Sequence, residues 1–119
     1  MRILAVEDDA EYLEMLQVVF EGLGHTVIIA ANGNAALKVL SSQHVDVILS
    51  DVKMPEMDGV ELHERVRAMT DYRNTPFIFL TGVSNLAPVR DVCRTDADLL
   101  LQKPFPADKL LELFSGKLK

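Results

Sequence analysis

Five short apolar runs divide the chain. They are ILAV at 3–6, VIIA at 27–30, VILS at 47–50, FIFL at 77–80 and LLLQ at 99–102. Within each run the apolar residues are continuous and do not alternate with polar ones. This is typical of strands covered on both faces, as in parallel sheets. The pattern therefore predicts five buried strands.

Helical spacing fills the segments between these runs. Apolar residues at intervals of three and four predict a first helix within 10–23, with Asp9 as its N-cap and Gly24 just past its end. A fourth helix at 86–94 is short and weak, because Pro88 is tolerated only in the first turn. The remaining predicted helices lie around 35–40, 60–69 and 110–114.

Strand and helix patterns alternate five times along the chain. This order predicts an α/β fold with one doubly wound parallel sheet. The sequence contains no linker, repeat or low-complexity segment, and its last pattern is the fifth helix. We therefore expect a single domain over residues 1–119, with no second domain.

Composition and charge narrow the class of protein. Hydrophobic residues make up 49% of the chain, enough for a packed core. The apolar runs are too short for a membrane span or a signal peptide, so we expect a cytoplasmic protein with no membrane partner. The formal net charge of −6 argues against direct nucleic-acid binding. The single cysteine, Cys93, excludes an intrachain disulfide, and we interpret it as a partly buried residue in a helix.

Polar side chains follow four of the five apolar runs. They are Glu7, Asp8 and Asp9 after the first run, Asp51 after the third, Thr81 after the fourth and Lys103 after the fifth. The second run ends in AANG, with nothing ionisable. In open α/β sheets, ligands bind beyond the carboxyl ends of the strands, where the strand order reverses. A strand order of 2-1-3-4-5 explains the pattern, because it puts strand 2 at an edge and the crevice between strands 1 and 3.

Three carboxylates would crowd that crevice: Glu7, Asp8 and Asp51. Without compensation they would repel one another and raise each other's pKa values. A divalent cation resolves the conflict, since Mg2+ takes oxygen ligands in octahedral geometry and keeps several waters. The positive charge of Lys103 and the hydroxyl of Thr81 complete a set of groups suited to a phosphoryl group.

Four motifs occur at these strand ends in order: VEDD, SDVKMPEMDG, LTG and KPF. Any one of them is a weak signal. Together they resemble the receiver domains of two-component response regulators, over essentially the whole chain. The resemblance implies a CheY-like, flavodoxin-like (βα)5 fold and supports the strand order 2-1-3-4-5.

The resemblance also implies roles for the acidic motif residues. Asp51 would be the phosphoacceptor. Asp8 and Asp51 would be direct ligands of Mg2+, for which Mn2+ could substitute. Glu7 would hold the metal through water, and Lys53 would offer its backbone carbonyl.

Two further residues would act on the phosphoryl group. Thr81 resembles the switch hydroxyl that moves to the phosphoryl oxygens, and Lys103 resembles the lysine that pairs with them. Pro104 implies a cis Lys-Pro bond. Two positions depart from the family pattern: Leu100 stands where a Tyr or Phe is usual, and Asp96 where a Gly commonly ends the fourth helix.

The resemblance implies a phosphorylation-controlled switch and not an enzyme with a separate substrate. A sensor histidine kinase or His-phosphotransfer protein would donate the phosphoryl group, and the domain would assist its own phosphorylation and dephosphorylation. It would signal through its strand 4, helix 4, strand 5 and helix 5 face to an effector protein or an output domain, as a monomer or a phosphorylation-dependent dimer.

Three other functions are possible for a chain of this pattern. A degenerate receiver would act as a phosphorylation-independent interaction module, but its site residues would not need to be intact. A haloacid-dehalogenase-like phosphatase would need an Asp two residues after the nucleophile, where this chain has Lys53. A flavin-binding module would need a Ser/Thr/Gly-rich loop after strand 1, where EDDA would repel a phosphate.

Some polar and sulfur-containing residues are interpreted as structural. Asp9 caps a helix, and Met54 and Met57 pack a loop. The three histidines are not spaced as a ligand set, and we predict surface or boundary positions for them; they are His25, His44 and His63.

Overall fold

The structure is a computed structural model that describes residues 1–82, 87–93 and 97–103. Its strands are β1 (Arg2–Val6), β2 (Thr26–Ala30), β3 (Val47–Ser50), β4 (Phe77–Thr81) and β5 (Asp98–Gln102). Its helices are α1 (Ala10–Glu21), α2 (Gly33–Ser42), α3 (Gly59–Ala68) and α4 (Ala87–Arg90), with a 3-10 helix at Thr70–Tyr72.

All five strands form one parallel sheet in the order β2-β1-β3-β4-β5. This confirms the predicted fold class and strand order. The register pairs Val6 of β1 with Ser50 of β3, so the two strands end level with each other. Glu7 and Asp51, the next residues, therefore leave the sheet side by side.

Both faces of the sheet are covered, as the continuous apolar runs predicted. Alternate residues of a strand point to opposite faces, and here each face meets its own apolar cluster. One cluster joins strand residues to α2 and α3, and includes Leu4, Val6, Ala36, Leu40, Ile48, Leu62, Val66, Phe77 and Phe79. The other joins them to α1, and includes Ile3, Ala5, Leu13, Leu16, Phe20, Val47, Leu49, Ile78 and Leu80.

Helix α1 begins where the sequence predicted and ends earlier. The Asp9 carboxylate accepts hydrogen bonds from two first-turn backbone N–H groups at 3.0 and 3.3 Å, which confirms the N-cap. The helix ends at Glu21 with Gly22 as its C-cap, so the predicted end at residue 23 is wrong. Leu23 continues the apolar spacing but is 54% exposed, so it gains little from burial. Gly24 follows with a φ of 90°, which glycine adopts readily.

Four strands extend one residue beyond their apolar runs. Parallel pairing continues over polar residues at the strand ends, which are Arg2, Thr26, Thr81 and Asp98. Hydrophobic patterning marks the buried part of a strand, whereas backbone hydrogen bonds set its length.

The region of α4 differs from the prediction for 86–94. The helix spans Ala87–Arg90, with Pro88 in its first turn as expected, and Cys93 is partly buried but lies beyond the helix. No helix in the described parts of the chain is long and apolar enough to cross a membrane. Three predicted features lie outside the described residues: the fifth helix around 110–114, Asp96, and the Lys103–Pro104 bond.

The predicted surface or boundary position is wrong for His63. This residue lies on the inner face of α3 and is 6% exposed. Its ring centroid is 5.0 Å from that of Phe77 and 5.3 Å from that of Phe79. Burial is tolerated because Asp98, at the start of β5, supplies a polar partner 2.8 Å from His63 Nε2. The other two histidines are half-buried and exposed, as predicted: His25 and His44.

Arg67 completes this buried polar cluster. Its guanidinium donates to Asp98 Oδ1 at 2.6 Å and to the backbone carbonyls of Tyr72 and Thr75 at 2.8 and 2.6 Å. The cluster of His63, Arg67 and Asp98 therefore ties α3 to the beginning of β5.

Candidate functional site

The carboxyl ends of β1 and β3 hold the acidic residues in place through backbone hydrogen bonds. Glu7 N–H donates to the carbonyl of Ala30 at 3.1 Å, and Asp51 N–H donates to the carbonyl of Val6 at 3.0 Å. Each residue is thus an extension of its strand. Their side chains meet beyond the sheet because the strands are parallel and in register.

Three carboxylates converge at this point. Glu7, Asp8 and Asp51 each place a carboxylate oxygen within 4.8 Å of the others. Glu7 and Asp51 are 3% and 9% exposed, whereas Asp8 is exposed. Clustered carboxylate oxygens suit a hard divalent cation such as Mg2+, and the exposed member leaves the site open to water.

Lys103 reaches the same cluster from the end of β5. Its backbone N–H donates to the Thr81 carbonyl at 2.7 Å, which continues the pairing of β4 with β5. Its ammonium donates to Glu7 Oε2 at 2.6 Å and to Asp51 Oδ2 at 3.3 Å. The lysine therefore offsets part of the negative charge that the carboxylates bring together.

Burial and charge together change the pKa values of Glu7 and Lys103. Burial raises the pKa of Glu7 from 4.5 to about 7; the Lys103 hydrogen bond opposes this shift, and the nearby Asp51 carboxylate reinforces it. For Lys103, burial acts to lower the pKa, but the Glu7 and Asp51 carboxylates outweigh it and raise the pKa. The ammonium stays charged next to a carboxyl group that titrates near neutrality.

The loop after β3 presents the Asp51 side chain. Asp51 Oδ1 accepts a hydrogen bond from the N–H of Val52 at 2.7 Å. Asp58 caps α3 by accepting from the Glu61 N–H at 2.8 Å. At Gly59 a Cβ atom would lie 2.2 Å from the Asp51 carbonyl oxygen, so only glycine lets α3 begin this close to the end of β3.

Two methionines pack this loop, as the sequence predicted. Met54 and Met57 are 8% and 5% exposed and belong to the cluster that joins the sheet to α2 and α3. Met57 lies against Gly33 at the start of α2, where a Cβ atom would be 2.7 Å from its sulfur. Apolar contacts with the core and with the start of α2 therefore fix the position of this loop.

An open cleft of about 820 Å³ lies above the carboxylates. Its lining consists of Asp8, Asp51, Lys53, Met54, Pro55, Thr81 and Gly82. The structure therefore brings the predicted residues Asp8, Asp51, Lys53 and Thr81 to one cleft, with the Glu7 carboxylate within 4.8 Å of Asp51 and Lys103 hydrogen-bonded to it. Leu100 lies three positions before Lys103, where it pairs with Phe79 and packs half-buried against the core.

The sequence reasoning missed one aromatic residue at this site. The ammonium of Lys103 lies 4.3 Å from the ring centroid of Tyr12, in the first turn of α1. Burial raises the pKa of the Tyr12 hydroxyl; Lys103 opposes the shift, whereas Glu7 and Asp51 add to it. Its position in the sequence could have indicated this contact, because Tyr12 lies four residues after Asp8, at the start of the helix that follows the acidic motif.

Comparison with known proteins agrees with this geometry. Residues 3–115 match the response regulator receiver domain family. The transcriptional regulatory protein CrdR of Helicobacter pylori is 34% identical over 110 residues, which cover 92% of this chain and 51% of CrdR. This chain therefore spans about half the length of that relative.

Two solved structures are similar to this chain in fold and in sequence. Chemotaxis protein CheY4 of Vibrio cholerae superposes with a TM-score of 0.87 at 32% identity, covering 96% of this chain and 95% of CheY4. Response regulator TrrA of Thermotoga maritima, solved in complex with Mg(2+)-BeF, has a TM-score of 0.81 at 29% identity, and 96% of each chain is covered. With the family match over most of its length and the sheet order, the chain belongs to the response regulator receiver domain family, whose general function in two-component systems is that of a phosphorylation-controlled switch.

Proposed function

We propose that Asp51 of this chain accepts a phosphoryl group from a phosphohistidine, in the presence of Mg2+. The donor would be a sensor histidine kinase or a His-phosphotransfer protein. The observation that carries the proposal is the place of the Asp51 carboxylate: it lies at the mouth of a cleft, beside two further carboxylates and 3.3 Å from the Lys103 ammonium.

The transfer is a substitution at phosphorus. A carboxylate oxygen of Asp51 forms a bond to phosphorus while the bond from phosphorus to the histidine nitrogen breaks, and the electron pair of that bond leaves with the imidazole. The product is an acyl phosphate. Water later attacks its phosphorus, which releases inorganic phosphate and restores the carboxylate.

Charge is the main obstacle to this reaction, because a phosphoryl group must approach an acidic site. Glu7, Asp8 and Asp51, with the Lys53 backbone carbonyl, would hold Mg2+, or Mn2+ in its place. A bound Mg2+ would supply positive charge to the phosphoryl oxygens. Lys103 would add a second, fixed positive charge on the side of β5.

Switching would follow from groups at the ends of β4 and β5. The Thr81 hydroxyl would bind a phosphoryl oxygen, and Lys103 would pair with another. Leu100, in the middle of β5, would take part in the resulting change with no aromatic ring to turn. The signal would leave through the face formed by β4, α4 and β5 with the predicted fifth helix, to an effector protein or an output domain.

The proposal includes the location and the oligomeric state of the protein. We expect a cytoplasmic protein that acts as a monomer or a phosphorylation-dependent dimer, without direct nucleic-acid binding by this domain. The degenerate-receiver alternative loses support because the acceptor, its acidic neighbours and Lys103 are brought together.

Labelling with a small phosphodonor tests the acceptor assignment. Acetyl phosphate or phosphoramidate with Mg2+ should add one phosphoryl group by intact-mass measurement, and Asp51→Asn should abolish the addition. Asp58→Asn is a matched control, because Asp58 is an exposed aspartate of the same loop. Phosphate on Asp8 or Asp58 in the wild type would contradict the proposal, as would a wild type that takes none.

A further inference from the structure

Tyr12 contacts Lys103, but the phosphorylation reaction proposed above gives Tyr12 no role. Lys103 Nζ is 4.3 Å from the ring centroid of Tyr12. A lysine ammonium within about 6 Å of a ring face is attracted by the negative electrostatic potential of that face. Tyr12 is partly buried and packs against the α1 side of the core, so the ring is held in place independently of the lysine.

The ammonium has neighbours from three separate elements. Glu7 follows β1, Asp51 follows β3, and Tyr12 belongs to α1. A lysine side chain has high rotamer entropy and a mobile head group, so it stays in one place only if several contacts restrain it. With 21% of its side chain exposed, Lys103 would otherwise be able to turn toward solvent.

We propose that Tyr12 is a positioning residue of the phosphorylation site, whose ring holds the Lys103 ammonium beside Asp51. This inference rests on the proposed function of Asp51. Tyr12 would act through Lys103 and would not itself contact the phosphoryl group.

A ring face suits this task better than another carboxylate would. The cluster already contains Glu7, Asp8 and Asp51, and a further negative charge would add to their repulsion. The ring attracts the ammonium without carrying a net charge. The proposal requires the ammonium to stay over this ring face when it moves from Glu7, its nearer partner, toward a group on Asp51.

The face of the ring is the essential feature, and the hydroxyl is not. Tyr12→Phe should therefore preserve the function, whereas Tyr12→Leu keeps an apolar side chain but removes the ring. The probe is beryllofluoride with Mg2+, followed by the amide shifts of Asp51 and Val52, which report binding at Asp51 itself and do not depend on switching at β4 and β5. We expect Tyr12→Leu to weaken beryllofluoride binding about three- to tenfold. Tyr12→Phe should bind within about twofold of the wild type, since its ring face remains.

A double-mutant cycle separates positioning from general packing. If Tyr12 acts through Lys103, then Tyr12→Leu should have no further effect on beryllofluoride binding in a Lys103→Ala protein. Leu16→Ala is a matched control one helical turn away, in the same apolar cluster. It should lower the melting temperature and leave beryllofluoride binding within about twofold of the wild type, because Leu16 packs the core rather than Lys103.

A second readout does not involve phosphoryl chemistry. The aliphatic protons next to Lys103 Nζ should show an upfield ring-current shift in the wild type and in Tyr12→Phe, and should lose it in Tyr12→Leu.

The proposal is overturned if Tyr12→Phe binds beryllofluoride as weakly as Tyr12→Leu does. It is also overturned if Tyr12→Leu has the same effect with and without Lys103, or if Leu16→Ala weakens binding equally. If the wild type accepts neither beryllofluoride nor a phosphoryl group, the function proposed for Asp51 fails and this inference fails with it. If the wild type responds and Tyr12→Leu matches it, only the inference about Tyr12 fails.

Discussion

Among the single side chains, Glu7 experiences the strongest conflict between burial and charge. Its carboxyl group is almost fully removed from water, with the Asp51 carboxylate close by and the Lys103 ammonium as a compensating charge. Folding therefore favours the protonated form. In such a case stability is fully present below the unfolded pKa and is lost as the pH rises through the folded pKa.

The pH dependence of stability tests this point. In metal-free buffer with a chelator, the free energy of unfolding should fall as the pH rises from about 4.5 to about 7, because over this range Glu7 ionises in the unfolded chain but stays protonated in the folded protein. Glu7→Gln should remove most of this slope while leaving an acceptor for Lys103. Urea unfolding between pH 4 and pH 8 measures the effect. Glu11→Gln, an exposed acid of α1, should keep the wild-type slope; if Glu7→Gln keeps it too, the raised pKa is wrong.

Most of the acidic site could be predicted from the sequence, whereas the contact of Tyr12 with this site and the burial of His63 away from it could not. Glu7, Asp8, Asp51 and Lys103 follow apolar runs directly, and a parallel register brings such positions together. Tyr12 offers no comparable signal, because its contact with Lys103 depends on how α1 packs on the sheet. For His63 the general rule that histidines lie near the surface gave the wrong answer, since Asp98 and Arg67 lie far away in the sequence or on the next turn.

Between elements, the polar cluster of His63, Arg67 and Asp98 joins α3 to the start of β5, at the opposite end of that strand from Lys103. For Asp98, burial acts to raise the pKa, but hydrogen bonds from Arg67 and His63 outweigh it and lower the pKa below the usual 3.8. Its contribution to stability is thus present above pH 3.8 and is lost as the pH falls through the lower folded value.

Asp98→Asn should therefore destabilise the fold at neutral pH. We expect a loss of about 2 kcal/mol, because the Arg67 charge would keep its carbonyl contacts but lose its carboxylate partner. Urea unfolding at pH 7 and at pH 3.5 gives the measurement, and the difference between variant and wild type should shrink at the lower pH.

The control for this variant is Asp46→Asn. Asp46 pairs with His44 at 3.3 Å, but both side chains are largely exposed, so the loss should stay below about 1 kcal/mol. If the two variants lose the same stability at pH 7, the buried cluster does not have the role assigned to it.

At the scale of the whole molecule, one five-stranded sheet carries the cleft at the carboxyl ends of its strands. The polar residues at the strand ends indicated that β2 lies at an edge, and the resemblance to receiver domains supplied the rest of the strand order, which the structure confirms. The bounds of α1, α4 and four strands differ from the prediction, because backbone pairing and capping set them rather than hydrophobic spacing.

Lys103 and Thr81 should matter more for switching than for accepting phosphate. Lys103→Ala and Thr81→Ala should each be labelled on Asp51 by a small donor, with Lys103→Ala slower, because the acceptor and its acidic neighbours remain. Neither variant should show the spectral changes of the wild type across 97–103 when beryllofluoride is added, since each lacks one link between the phosphoryl group and the end of the sheet.

Paired amide spectra with and without beryllofluoride, recorded for the wild type and both variants, give the answer. If both variants respond as the wild type does, the change must pass through the loop after Asp51 instead. The metal supply should be identical in all samples, so that weak metal binding is not mistaken for a broken switch.

The close approach of α3 to the acceptor strand limits how this sequence can vary. At Gly59 an added Cβ atom would meet backbone atoms, the Asp51 carbonyl oxygen at 2.2 Å and the Val52 Cα at 2.9 Å, and no side-chain rotation can relieve such a clash. At Gly82, by contrast, an added Cβ would meet nothing within 4 Å. The two glycines are therefore unequal as targets for redesign: Gly82 is a position where the wall of the cleft can be rebuilt, whereas any replacement of Gly59 would push Asp51 and the following helix apart.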